Sequence, residues 1–111
     1  MKQYTTTEQT AKLIELGFAK PRSEYKAEQA GDCAWHNPAY SLDELWEKLH
    51  SYALPMEIEA ENYANFGVTL SVRAWVDGTM CKVYRGEGEE LIDLLVEALA
   101  KLVVDNIIPP K

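Results

Sequence analysis

The stretch Val68-Thr69-Leu70-Ser71-Val72-Arg73-Ala74-Trp75-Val76-Asp77-Gly78-Thr79-Met80-Cys81-Lys82-Val83-Tyr84 decides the fold. Over 68–76, apolar and polar side chains alternate with a period of two, the pattern of a strand with one buried face. Asp77-Gly78 is the favoured two-residue hairpin turn, so 79–84 returns alongside. Counting outward from that turn pairs Val76 with Thr79, Ala74 with Cys81 and Val72 with Val83 on one face. The other face pairs Trp75 with Met80, Arg73 with Lys82 and Ser71 with Tyr84. The first face is the predicted core side, which makes Cys81 a small core residue and leaves Trp75, Met80 and Tyr84 outside.

Upstream of the hairpin, Met56, Ile58 and Ala60 alternate with Glu57, Glu59 and Glu61, which predicts a third, half-buried strand. If that strand lies beside the one carrying Arg73, its glutamates compensate Arg73 and Lys82, which would otherwise repel across the hairpin. Pro55 bars the preceding helix from continuing past about residue 52. That helix opens at Ser41-Leu42-Asp43-Glu44, a capping box in which the Ser41 hydroxyl accepts from the Glu44 amide and the Glu44 carboxylate reaches back to the Ser41 amide. Leu42, Leu45, Trp46 and Leu49 follow at helical spacing. Another helix is predicted over about 8–16, capped by Thr6 or Thr7 and stopped by Gly17. Between the two, 19–40 reads as irregular, with only Cys33-Ala34-Trp35 resembling a short edge strand.

Downstream, Gly86-Glu87-Gly88 is read as the end of the sheet, and Glu89 and Glu90 as the amino end of a helix running to about 105. In that helix Asp93, Glu97, Lys101 and Asp105 form one thin polar stripe, while Leu94, Leu95, Leu99, Leu102 and Val103 belong to the apolar remainder. One sheet cannot bury so broad an apolar surface, so either the first two helices or another subunit must cover the second side. The predicted architecture is a single α+β domain over 1–111: two N-terminal helices, a three-stranded antiparallel meander with room for a fourth strand at 33–35, and a C-terminal helix across one sheet face.

Composition agrees with one folded domain. The chain has 111 residues, 47% hydrophobic and 10% aromatic, with a net charge of −7 that disfavours broad attraction to phosphate backbones or anionic lipid. No apolar run approaches the roughly 18 residues of a membrane helix, and 1–8 lacks the apolar core of a secretion signal. A cytoplasmic setting is expected, with both cysteines, Cys33 and Cys81, as reduced thiols.

The order of a helix ending Leu16-Gly17, an irregular segment, Tyr40-Ser41-Leu42-Asp43-Glu44-Leu45, a hairpin and Glu90-Leu91-Ile92-Asp93-Leu94-Leu95-Val96-Glu97-Ala98-Leu99 resembles a family of small uncharacterised proteins common in gut-bacterial and phage-derived genomes. The likeness spans most of the chain and implies the architecture just described. Its motifs are caps and packing patterns, and the family brings no established activity, cofactor or catalytic residue. Cys33-Ala34-Trp35-His36 matches no feature of that family.

Several constellations bear on chemistry. Cys33 and His36 have the spacing of half a zinc site, but the other soft ligands, His50 and Cys81, would have to converge from a helix end and a core-facing strand. No metal or cofactor is therefore assigned. A Cys33 nucleophile with His36 or His50 as base has no accompanying elbow or phosphate loop, and an ordinary loop thiol is the plainer account. Arg73, Lys82 and Arg85 with Trp75 and Tyr84 could form a stacking platform for single-stranded nucleic acid, against the global charge. Trp35, His36, Tyr40 and Trp46 could line a small-molecule or enzymatic pocket. The favoured expectation is a non-catalytic interaction or accessory module. It would bind a protein or a second copy of itself through Trp75, Met80 and Tyr84 or through surplus surface at Leu99 and Val103.

Overall fold

The computed structural model describes residues 3–28, 34–52, 54–63 and 67–110, without the side chains of 25–28, 34–37 and 63. Helix α1 (Thr7–Glu15) starts at a full capping box: Thr6 Oγ1 accepts from the Gln9 amide at 3.1 Å, and Gln9 Oε1 accepts from the Thr6 amide at 2.9 Å. Gly17 turns the chain at φ +106°, and the Phe18 amide donates to the Leu13 carbonyl. Helix α2 (Leu42–His50) is capped by Ser41, whose Oγ accepts from the Glu44 amide at 3.1 Å. The expected return arm of that box is replaced. The Glu44 carboxylate instead accepts from the Arg22 amide at 2.8 Å, because the segment after α1 passes close to the first turn of α2.

That intervening segment corrects the reading of 19–40. Strands β1 (Glu24–Glu28) and β2 (Ala34–Pro38) pair antiparallel from Glu24 with Pro38 to Glu28 with Ala34, as a two-stranded sheet of their own. Of the short strand foreseen at 33–35, Ala34 and Trp35 thus pair with Glu28 and Ala27 and do not extend the meander, Cys33 lies outside the described residues, and α1 and α2 are separated by the β1–β2 pair. Glu24, Lys26 and Glu28 dilute the alternation in β1, so backbone pairing carries it with little apolar signal.

The meander forms as expected, in order β3 (Met56–Tyr63), β4 (Gly67–Val76), β5 (Thr79–Gly88). Asp77 and Gly78 take φ of 50° and 80°, the left-handed pair a tight hairpin turn demands. Pairing from Val76 with Thr79 to Arg73 with Lys82 follows the sequence count. The next pair is Val72 with Tyr84 and not with Val83, because a β-bulge inserts Val83 as an extra residue. From there the faces of β5 are exchanged. Tyr84, expected outside, is 7% exposed, and Gly86 and Gly88 join it opposite Leu70 and Val68 on the core side. The glycines read as a stop are therefore inside the strand. Cys81 is a second correction: it faces the same way as the fully buried Ala74, but on an edge strand near the hairpin tip, and is exposed.

Helix α3 (Leu91–Val104) packs on the core face of β4 and β5. Ile92, Leu95, Ala98, Leu99 and Leu102 are fully buried. The surplus circumference is covered by the chain itself: Leu13 and Phe18 at α1, and Leu45 and Leu49 of α2, enter the same core cluster. Gln9 Nε2 ties α1 to α3 by donating to Asp93 Oδ1 at 2.7 Å. Leu99 consequently lies inside the monomer and offers no docking surface, while Val103 is half-buried and Val104 is exposed. Among the described residues, no helix is long and apolar enough to cross a membrane.

Candidate functional site

With α3 on one side, the other face of the sheet is left to solvent. Its side chains are dictated by register. Glu57, Arg73 and Lys82 form one row across the three strands, and Glu59, Ser71 and Arg85 the next. At the hairpin end Trp75 pairs with Met80. Arg73 Nη1 lies 3.9 Å from Glu57 Oε2, so the cross-strand compensation expected from the sequence is present, in exposed and weakly coupled form. Arg85 pairs with Glu87 along its own strand at 3.1 Å. Glu59 and Lys82 have no ion pair among the described residues. Trp75 is 50% exposed although its strand is central and rigidly paired on both sides.

The predicted platform is thus partly assembled. Trp75, Met80, Arg73, Lys82 and Arg85 share the outer face, whereas the bulge takes Tyr84 away from it. Tyr84 Oη donates to Glu97 Oε2 at 2.8 Å on α3, and burial, reinforced by that carboxylate, pushes its hydroxyl pKa upward. A stacking surface with a single aromatic ring is poorer than the sequence suggests.

The predicted pocket is not brought together in the same way. Tyr40 is fully buried and donates its hydroxyl to the Ala19 carbonyl, with its pKa raised to about 12 by burial and then by the charge of Glu44. Trp46 is half-buried and packs against His50 with ring centroids 4.5 Å apart and planes tilted by 47°, and the His50 Nδ1 is 2.8 Å from the Trp46 carbonyl oxygen. The side chains of Trp35 and His36, and all of Cys33, lie outside the described residues, so the half zinc site and the thiol nucleophile do too. Among the described residues no group of three or more His, Cys, Asp or Glu could hold a metal ion.

Two concavities are new relative to the sequence reading. A groove of about 650 Å³ follows the edge of β3, lined by Trp46, Leu91, Ile58 and Ala60 together with Glu59 and Glu61. Its signal was the fading of apolar bulk along Met56, Ile58 and Ala60. A smaller one of about 360 Å³ is walled by Lys20, Arg22, Glu44, Glu47 and Lys48. Glu44 is 7% exposed there and 3.6 Å from Arg22 Nε; its capping role in the sequence disguised this inward placement. No family model, curated protein or solved structure matches this chain.

Proposed function

We propose that the protein is a non-catalytic interaction module that docks a partner on the outer face of the β3–β4–β5 sheet, centred on Trp75. One observation carries the reading: the half-exposed indole on the central strand, beside Met80 and the cations Arg73 and Lys82. A solvated face on an antiparallel sheet needs no partner. A large aromatic mounted on a rigid strand, with Met and Arg neighbours, has the composition of an interface anchor. The accessory role is of phage or mobile-element type, the genomic setting of the family that the sequence resembles, although that family itself leaves function open. The same reading sets the protein in the cytoplasm, where exposed Cys81 stays reduced.

A photo-reactive amino acid at position 75, compared with one at the exposed helix position 104, tests this in the cell. A discrete adduct from 75 that is absent from 104 is expected. Equal or absent adducts at both positions overturn the reading.

A second reading has an apolar small molecule in the groove beside Trp46, whose volume lies in the range of ligand sites. It predicts that Trp46→Ala abolishes binding of an apolar dye whose fluorescence rises on burial. Unchanged dye binding in that variant excludes it.

A further inference from the structure

Resting on the docking role of the outer face, we propose that its occupant is a second copy of this chain, stacked face to face about a two-fold axis parallel to the strands. The face is charge-divided by strand. β3 presents Glu57 and Glu59, whereas β5 presents Lys82 and Arg85, with Trp75 on the strand between. A two-fold axis along β4 lays β3 of each copy over β5 of the other and keeps the rows in step. Glu57 then falls over Lys82 and Glu59 over Arg85, each contact occurring twice, while the two Trp75 side chains meet at the axis. Arg73 meets its own copy there, with Glu57 beside each. The row beyond, Glu61 with Glu87, is acidic on both outer strands and opposes stacking, so the contact centres on the hairpin half.

The alternatives are worse on charge. An axis across the strands stacks β3 on β3, and edge-to-edge pairing of β3 also aligns glutamates with glutamates. Pairing through the β5 edge brings Lys82 and Arg85 against their own copies and meets the bulge at Val83. The two outward charges without an internal ion pair, Glu59 and Lys82, each gain an opposite charge only in the stacked arrangement.

The size of the face sets the strength. Three strands about 4.8 Å apart and about 30 Å long give at most roughly 400–500 Å² per copy. That is well under the roughly 800 Å² per partner of a stable complex, so the dimer is weak, concentration-dependent and sensitive to salt.

Charge exchange within one facing pair provides the test. Glu59→Lys alters a side chain with no internal ion pair, and Arg85→Glu removes only the exposed contact with Glu87, so both variants keep the native circular dichroism. Each places two like-charge contacts in its own homodimer by symmetry and weakens self-association about tenfold at low salt. An equimolar mixture of the two restores a 1:1 heterodimer, because the lysine introduced at position 59 of one copy then faces the glutamate introduced at position 85 of the other. Sedimentation velocity across a micromolar to millimolar series reads all three samples and the parent. A parent chain that stays monomeric throughout, or a mixture that associates no better than the separate variants, overturns the second-copy inference. If the chain is monomeric while the crosslinker at position 75 still captures another protein or an oligonucleotide, the docking role survives without it. If position 75 captures nothing, both fall.

Discussion

Gly86 is the residue on which the helix–sheet contact is most finely set. A Cβ there would collide with the Tyr84 hydroxyl and come 3.0 Å from Leu94 Cδ2, so even one methyl group has to displace α3 or the tyrosine. Gly86→Ala is expected to cost about 1–3 kcal/mol, read as a lower midpoint in urea with an unchanged slope. The buried tyrosines give a second outcome at this scale. Burial raises Tyr40 and Tyr52 to about 12 and moves Tyr84 upward as well, against 10.0 for the free side chain. Above pH 10 the unfolded chain therefore releases protons that the folded chain retains. The stability they contribute is complete below pH 10 and is lost as pH climbs through 10–12. Melting temperature followed against pH, alongside tyrosinate absorbance, should show the fall. A flat profile to pH 12 would contradict the burial of these hydroxyls.

At the scale of elements, α3 is the column of the core, with Leu99 fully buried within one chain. Leu99→Ala should cost about 2–5 kcal/mol and lower the melting temperature without altering the sedimentation of folded protein. An effect on association with no loss of stability would mean the helix packs between copies. The helices and the meander were legible because local signals repeat one another: Thr6 or Thr7 and the Ser41-Glu44 box mark starts, Gly17 and Pro55 mark stops, and the period changes from helical to two after Pro55. Less legible was whatever depends on one residue of register. Val83 and Tyr84 are both reasonable inward residues, and only packing against Glu97 and Leu94 selects Tyr84. β1 was hidden for another reason, since strand pairing through backbone groups leaves no trace when the side chains are charged. Of the candidate site, Trp75, Met80, Arg73 and Lys82 were placed together from the turn outward. The grooves beside Trp46 and Glu44 arise between elements distant in sequence and carry no local pattern.

As a whole the molecule is long and thin. Its principal extents are 57 × 35 × 18 Å and its radius of gyration is 15.1 Å, against about 13 Å for a compact chain of this length. The shortest extent has room for two layers, which is why one sheet face remains uncovered. Face-to-face pairing should bring that short dimension to about 46 Å, two molecules 18 Å thick with facing sheets about 10 Å apart, and leave the longest near its monomer value because the stacking runs perpendicular to the sheet. X-ray scattering across a concentration series distinguishes this from edge pairing, which would lengthen the particle in the plane of the sheet.

The bulge at Val83 also decides which genetic accidents the chain can survive. Excising that single codon would join Lys82 directly to Tyr84, and strict alternation would then set Tyr84 opposite Val72, and Gly86 and Gly88 opposite Leu70 and Val68, where the bulge already holds them. Arg85 and Glu87 would stay on the outer face. Loss of this codon is therefore an in-frame deletion inside a strand that leaves every later residue on its own side of the sheet.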